Sequence, residues 1–359
     1  MLFRSQQEGT AILKHSPGVT NIVLGTQAIR RLPMLVDQAQ SSPRRAFVDL
    51  DPYEDVTFPL GVTRRDDPVK AYVTIIEGCN EFCSFCVVPY TRGHERMRPK
   101  ADILAEVREA AAQGRREVQL LGQIVNLYGR HEFEKRDGKS PFVQLLEAVH
   151  GVEGLRRLRF TSPHPIGFRE DLVECYARLP KLMPHVHLPM QSGSDRILKA
   201  MHRAYTVEKY VSLVAALRAA RPDIAITTDI IVGFPGEKAD DYGSTRDVVR
   251  RVGFDNAFVF KYSPRRDTPA ATMAEQVPDS EKEERNRELL AVVDEIARGR
   301  NAALVGRHIE ILCEGPSKTN PERLMGRSPG NKIVIFEGSE RHIGEVFEVR
   351  IERTTGFSL

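Results

Sequence analysis

The stretch AYVTIIEGCNEFCSFCVVPY, Ala71 to Tyr90, joins an apolar β-branched run to three closely spaced cysteines. The run Ala71 to Ile76 is nearly continuous in apolar residues, which predicts a strand buried on both faces. Cys79, Cys83 and Cys86 follow it directly. Three soft thiolates in one short loop are typical of a metal site, and in an iron-sulfur cube they leave one iron open to a small molecule.

Zinc is the alternative metal for these cysteines. A closed zinc site takes four ligands, and the nearest further candidate, His94, does not have the spacing of the usual pairs. The N-terminus, Met1 to Ser5, lacks the apolar stretch of a secretory signal. We therefore expect a cytoplasmic protein whose cysteines stay reduced and form no disulfide framework.

Working outward from the cysteines, apolar runs alternate with amphipathic helices. Five more predicted strands follow the first: Glu117 to Leu121, Leu158 to Thr161, Val186 to Met190, Ala225 to Val232 and Ala257 to Tyr262. Six such units predict an α/β fold, a partial TIM-like (βα)6 barrel with its chemistry at the C-terminal ends of the strands. His185 and His187 alternate along one strand, and we expect only one of them to face the barrel interior.

Three further segments flank the predicted barrel at 65–299. The pattern of residues 1–40 predicts a helix, a strand and a second helix, which are too short to fold alone. Residues 41–64 are predicted to form a Pro- and Asp-rich linker. Beyond a charged helix, short strands separated by Gly and Pro turns predict a small all-β module at 300–359. Between Asn301 and Leu359, eight Lys and Arg residues balance eight Glu residues, so folding must create any basic face. The phosphate-contact candidates are Arg92, Arg96 and Arg98 after the cysteines and Lys318, Arg323, Arg327 and Lys332 in the module.

Composition excludes several classes of protein. The chain has 359 residues, 41% of them hydrophobic and 28% charged, which is too apolar for disorder and enough for a full-sized core. No apolar run approaches the ~20 residues of a membrane-spanning helix, so we expect no membrane partner. The net charge of +3 permits a polyanionic partner without requiring one.

The cysteine spacing resembles that of the radical S-adenosylmethionine (SAM) enzymes, and the rest of the chain resembles the MiaB-type tRNA methylthiotransferases from about Ala11 to Leu359. The motifs that carry this likeness are Glu77 to Arg92, LGQIVN at Leu121 to Asn126, TSPHP at Thr161 to Pro165, HLPMQSGS at His187 to Ser194 and DIIVGFPGE at Asp229 to Glu237. The resemblance implies a radical SAM barrel followed by a TRAM domain, with a 4Fe-4S cluster on Cys79, Cys83 and Cys86.

The resemblance also implies where SAM binds. Phe85 would pack near its adenine, although a plain hydrophobic anchor is an equal reading. Gly122, Gln123 and Asn126 occupy the place where relatives contact the SAM amino group, and Gln123 can accept that hydrogen bond. Gly233 suits close approach of the backbone to a ligand, with turn geometry as the alternative. No side chain is assigned a catalytic role beyond holding the cofactors.

The family's reaction, by resemblance, is cleavage of SAM to a 5'-deoxyadenosyl radical and addition of a methylthio group to C2 of N6-isopentenyladenosine at position 37 of tRNA. The implied partners are the tRNA anticodon stem-loop and a reductant protein such as flavodoxin or ferredoxin. The family also carries a second cluster on three N-terminal cysteines, which this sequence lacks. We therefore expect residues 1–40 to be the remnant of that domain, and the chain to cleave SAM without completing sulfur insertion.

Three alternatives remain open. Two keep the chemistry and change the substrate, to threonylcarbamoyl-adenosine in tRNA or to an aspartate of a ribosomal protein. The third is a non-catalytic RNA-binding protein whose cysteines hold a structural metal, which predicts no SAM binding.

Overall fold

A computed structural model describes residues 8–15, 20–25, 27–42, 46–50 and 64–359. The chain divides into two compact units. The smaller unit comprises Met1–Pro59, Glu77–Arg96 and Pro264–Thr272, and the larger comprises Leu60–Ile76, Met97–Ser263 and Met273–Leu359.

The smaller unit contains a two-stranded parallel sheet. Its elements are α1 (Thr10–His15), β1 (Ile22–Leu24), a 3-10 turn (Gln27–Arg31), α2 (Leu32–Ser41), β2 (Phe47–Asp49) and α3 (Val88–Arg92). β1 pairs with β2 in register, and Arg31 forms an ion pair with Asp49. Within the predicted linker at 41–64, residues 47–49 form a strand that the sequence analysis did not predict, and the linker itself stays a prediction.

The larger unit contains the six predicted barrel strands. They are β3 (Lys70–Thr74), β6 (Glu117–Leu121), β7 (Arg157–Phe160), β8 (His185–His187), β9 (Ala225–Val232) and β10 (Asn256–Lys261). The short strands β4 (Ile76–Glu77) and β5 (Arg96–Met97) lie on either side of the cysteine loop. The helices between the strands are α4 (Lys100–Ala112), α5 (Pro141–His150), α6 (Glu170–Arg178), α7 (Asp195–Ala200), α8 (Val207–Ala220) and α9 (Ala239–Val252).

All pairings among the six strands are parallel. Two three-stranded sheets, β3-β6-β7 and β8-β9-β10, are joined where Leu158 of β7 bridges to Leu182, just before β8. Parallel strands need crossover helices, which cover one face of the sheet here. This order confirms the predicted open (βα)6 barrel, with β3 and β10 as its outer strands.

The two faces of the strands differ in burial. Residues such as Val73, Val118 and Ile230 are buried in the core that packs on the helices. On the opposite face Tyr72, Phe258 and Phe260 are 47%, 52% and 51% exposed. The expectation of burial on both faces was therefore wrong for the outer strands β3 and β10, whereas all four residues of β7 are buried.

The histidines of β8 also correct an expectation. His187 Nδ1 lies 3.0 Å from the hydroxyl oxygen of Thr227, and His185 Nε2 lies 3.3 Å from the same atom. Both rings therefore face the same way. The sequence interpretation was wrong because residues two positions apart along a strand point to the same face.

A small antiparallel module follows α10 (Asp279–Ala302), whose Leu289 and Val293 pack into the barrel core. Its strands are β11 (His308–Pro316), β12 (Leu324–Arg327), β13 (Ile333–Phe336) and β14 (Val346–Arg350), in the order β13-β12-β11-β14. Ile311, Val334, Ile351 and Leu359 form its own core. This confirms the predicted all-β module.

The module packs against the N-terminal ends of the barrel strands through buried charges. Arg159 of β7 lies 3.1 Å from the Glu117 carboxylate of β6 and donates to the carbonyl oxygens of Ser328 and Pro329, each over 2.9 Å. Lys70 of β3 pairs with Glu314 of β11 at 3.0 Å. Because Arg159 and Glu117 are 4% and 1% exposed, these contacts fix the barrel and the module as one folding unit.

A buried histidine connects the loops that follow β6 and β7. His164 is 5% exposed, and its Nδ1 accepts a hydrogen bond from the backbone N–H of Ile166 over 3.1 Å. The amide of Asn126 binds the carbonyl oxygen and the N–H of His164, both over 2.9 Å. Burial, with a smaller contribution from the charges of Arg203 and Arg130, lowers the pKa of His164 to about 2.

Within the part of the chain that the structure describes, no helix has the length and apolar character needed to cross a membrane.

Replacing Arg159 by Leu should lower the free energy of unfolding by about 3 to 5 kcal/mol, because the change leaves the buried carboxylate of Glu117 without its partner. Urea denaturation checks this. Arg108→Leu, an exposed position on α4, should change stability by no more than about 0.5 kcal/mol. The double variant Arg159→Leu/Glu117→Leu should recover part of the loss, and a single variant within about 1 kcal/mol of the parent would contradict this account.

Stability should fall as the pH drops below 6.5. The unfolded chain binds a proton at His164 with the ordinary pKa, whereas the folded chain does not until about pH 2. Between these two pH values, protonation of this residue in the unfolded chain lowers the free energy of unfolding by about 1.4 kcal/mol for each unit that the pH falls. His164→Asn keeps an acceptor for the Ile166 N–H and should remove this part of the slope, measured by denaturation at pH 5 and pH 7. Equal slopes for the two proteins would refute the assignment.

Candidate metal centre and cofactor loops

The loop that carries the three cysteines is closed at its base by two glycines. Gly78 adopts φ +76°, and a Cβ there would overlap the carbonyl oxygen of His94. The N–H of Cys79 donates to the carbonyl oxygen of Gly93 over 3.1 Å. Only glycine at position 78 allows the two ends of the loop to approach this closely.

The cysteines themselves are held by local backbone contacts. Cys79 and Cys83 are 7% and 8% exposed and Cys86 is half-buried. The N–H of Glu81 donates to Cys79 Sγ over 3.4 Å, and the N–H of Cys86 donates to the carbonyl oxygen of Cys83 over 3.0 Å. Burial raises the pKa of the Cys79 thiol to about 12, so the thiol is protonated at neutral pH unless a metal binds it.

His94, the candidate fourth ligand of a zinc site, lies at the base of the same loop. Its Nδ1 is 3.2 Å from the Asn80 side-chain oxygen, which also accepts from the N–H of Glu95 over 3.2 Å. The imidazole thus takes part in a polar contact that joins the two sides of the loop.

The donor set fits an iron-sulfur cube. All three cysteines are free thiols, the soft ligand type that such clusters require. Among the described residues, no three His, Cys, Asp or Glu side chains converge closely enough to hold a single metal ion. In a cube each cysteine binds a different iron, so its three ligands need not converge on one point.

Phe85 lies between the second and third cysteines and is half-buried. The residue before it, Ser84, is fully buried, and its carbonyl oxygen accepts from the N–H of Ala270 over 2.8 Å. Phe82 and Tyr90 form an edge-to-face pair, 5.9 Å between ring centroids, at the exposed side of the loop. The role predicted for Phe85 at the SAM adenine stays a prediction.

Gly122 and Gln123 follow the C-terminal end of β6. A Cβ at Gly122 would overlap the side chain of Ile76 and lie 2.9 Å from its carbonyl oxygen, so the chain can pass there only as glycine. The Gln123 side-chain oxygen is buried, and no residue of the described chain donates a hydrogen bond to it. An unpaired buried acceptor costs free energy, which a bound donor would recover.

Asn126 is placed differently from Gln123. It is 4% exposed, and both ends of its amide are already bonded to the backbone of His164. These bonds hold the loop after β6 against the loop after β7. The bonds therefore position the two loops relative to each other. The predicted contact of Asn126 with SAM stays a prediction.

Gly233 begins the turn after β9, with φ +70°, and packs directly on Lys282 of α10. The carboxylate of Glu237 accepts from the N–H groups of Gly233 and Phe234, over 2.5 and 3.1 Å, and pairs with Arg285 at 3.2 Å. Burial raises the pKa of Glu237 to about 7, against the opposing effect of Arg285 and the two N–H groups. Glu237 belongs to the motif DIIVGFPGE, but the motif alone does not show that its carboxylate binds the turn and Arg285.

Several candidate phosphate contacts are engaged within the fold. Arg98 is 3% exposed, pairs with Glu106 and donates to the carbonyl oxygen of Thr74 over 3.2 Å. Arg327 and Lys332 of the module pair with Glu314 and Asp255, at 3.0 and 3.1 Å. These side chains hold the fold together where the sequence suggested solvent or RNA.

Two protein-family models match the chain. The radical SAM superfamily model covers residues 73–249, which contain the cysteine loop and the strands through β9, and the TRAM domain model covers residues 302–359. The radical SAM and TRAM regions therefore correspond to the open barrel and to the antiparallel module.

Curated relatives match more of the chain than either family model does. A protein named tRNA-2-methylthio-N(6)-dimethylallyladenosine synthase from Akkermansia muciniphila is 58% identical, over 80% of this chain and 63% of that protein. Proteins of the same name from Opitutus terrae and Moorella thermoacetica are 43% and 47% identical, over 98% and 97% of this chain and 79% and 78% of those proteins. The chain, which spans 63% to 79% of the length of these relatives, belongs to the MiaB-type tRNA methylthiotransferases, a family of radical SAM enzymes.

Proposed function

We propose that this enzyme takes part in adding a methylthio group to C2 of N6-dimethylallyladenosine in tRNA, using SAM and a 4Fe-4S cluster. The observation that carries the proposal is the glycine-closed loop with three free cysteines, Cys79, Cys83 and Cys86. The names of the relatives support the dimethylallyl substrate over the threonylcarbamoyl and protein substrates.

The three thiolates would hold the cluster, which when bound supplies the electron that cleaves SAM to a 5'-deoxyadenosyl radical. The buried position of Cys79 and Cys83 limits the access of water to their sulfur atoms. The unpaired oxygen of Gln123 would accept a hydrogen bond from the SAM ammonium group, and Gly122 lets the chain before it pass close to Ile76.

The TRAM domain supports tRNA as the partner. An adenosine in the anticodon loop is already single-stranded, so moving it out of its stack costs at most a few kcal/mol. We propose that a small reductant protein such as flavodoxin or ferredoxin supplies the electron, and that the reaction takes place in the cytoplasm where tRNA is modified.

Anaerobic reconstitution with iron and sulfide should give about four irons per chain and release 5'-deoxyadenosine when SAM and dithionite are added. Cys83→Ala should lose both, because a cube with two protein ligands is not retained. Cys175→Ala, a buried cysteine of α6 outside the loop, should keep both. Iron counting and chromatography of the products provide the measurements.

Two outcomes would contradict parts of this proposal. Zinc in place of iron, with SAM left intact, would favour the non-catalytic RNA-binding protein. About eight irons per chain would contradict a single cube on these three cysteines.

Gln123→Leu should weaken SAM binding by about 10-fold or more, since a hydrogen bond to a charged group contributes about 1.5 to 3 kcal/mol. Gln123→Glu keeps an acceptor of the same shape and should bind SAM at least as well as the parent. Equilibrium binding of SAM to the reconstituted protein measures both. If the Leu variant binds like the parent, the oxygen has another role.

A further inference from the structure

A basic cavity lies at the N-terminal ends of β6 and β7, at the other end of these strands from Gly122 and Gln123. Its volume is about 510 Å³. The barrel contributes Arg116, Arg156, Arg157 and Lys181 to its wall, and the C-terminal module contributes Glu310 of β11 and Val346 of β14. Four cations thus face one carboxylate where two domains meet.

One of these cations, Arg157, pairs with the carboxylate of the cavity and keeps one donor unused. Arg157 is 1% exposed and uses its two terminal nitrogens on the carbonyl oxygen of Arg327 and on Glu310, over 2.7 and 2.8 Å. Its Nε is buried and has no hydrogen-bond partner in the described chain. A buried guanidinium with an unused donor, at the wall of a cavity, favours an anionic ligand.

The remaining cations are held near one another with free donors. The guanidinium groups of Arg116 and Arg156 make no hydrogen bond or ion pair with the residues that the structure describes. Lys181 Nζ donates to the carbonyl oxygen of Val152 over 2.8 Å, which leaves two protons for a ligand. Burial lowers the pKa of Lys181 and the charge of Arg156 lowers it further, while Glu153 opposes this change.

We propose that this cavity binds backbone phosphates of the substrate RNA, so that the junction of barrel and TRAM domain is an RNA contact separate from the cofactor loops. The identification of the anion as RNA rests on the proposed function. The excess of cations in the cavity is a property of the structure and does not depend on that function. The sequence of the TRAM domain has no net positive charge among its Lys, Arg and Glu residues. Positive charge exceeds negative charge in this cavity, where the domain meets β6 and β7 and where a polyanion that spans both domains can reach it.

The test uses the full reconstituted chain and a labelled anticodon stem-loop RNA carrying N6-dimethylallyladenosine. Arg116→Gln/Arg156→Gln/Lys181→Gln should bind this RNA at least about 10-fold more weakly at low salt than the parent. The slope of log affinity against log salt should fall by about 2, as expected for the loss of three phosphate contacts. Fluorescence anisotropy measures both quantities.

A matched control removes the same charge elsewhere. Arg108→Gln/Lys199→Gln/Lys209→Gln changes three exposed cations on α4, α7 and α8, and should leave affinity and slope within about twofold of the parent. Equal losses in the two triple variants would show a net-charge effect and overturn the proposal. Glu310→Gln removes the one acid of the cavity and should tighten RNA binding, which gives a second test if the triple variant folds poorly.

Other outcomes separate this proposal from the proposed function. Release of 5'-deoxyadenosine in the absence of RNA should be unchanged in the triple variant, since Arg116 precedes β6 whereas Gly122 and Gln123 follow its other end. If the triple variant binds RNA like the parent but no longer binds inorganic phosphate, the cavity is a site for a free anion and the RNA assignment is wrong. If the parent cleaves SAM yet binds no RNA, the tRNA substrate itself is refuted.

Discussion

One buried guanidinium constrains the arrangement of the larger unit. Arg159 is nearly inaccessible to water, and its donors bind Glu117 on the neighbouring strand and the carbonyl oxygens of Ser328 and Pro329 in the TRAM domain. A buried cation that loses even one partner is strongly destabilised, so few other arrangements are tolerated. The same side chain thereby fixes β7 beside β6 and places the C-terminal domain under the ends of the barrel strands.

Much of the fold could be predicted from the sequence because apolar periodicity reports burial. β6 and β9 have the bounds that the pattern predicts, and the six strands appear in the predicted order. Periodicity cannot show what fills the inner side of an open barrel, so the exposure of Phe258 and Phe260 was missed. The strand at 47–49 was missed because three residues are too few to establish a period.

The candidate site was predictable in its chemistry and less so in its contacts. The spacing of Cys79, Cys83 and Cys86 is a local property of the chain, and a sequence shows it directly. Asn126 and Gln123 are three residues apart in one motif, yet the amide of Asn126 is bonded to His164 and the oxygen of Gln123 has no partner in the described chain. That difference depends on a loop nearly forty residues away, which no local pattern encodes. Glu237 was overlooked for the same reason, since its partner Arg285 lies on α10.

The two ends of the parallel strands suit two different requirements of a nucleic-acid substrate. A base that is to be modified must leave its stack, which costs a few kcal/mol, and the apolar and amide groups near a cofactor offer little to offset that cost. Phosphates bound far from the reacting base can offset it, because binding energy from remote parts of a substrate can be used to position its reacting centre. The unpaired acceptor lies in a loop at the C-terminal end of β6, and the excess of cations lies at the N-terminal ends of β6 and β7. Binding of the cofactor and binding of the phosphates would therefore take place at opposite ends of one sheet.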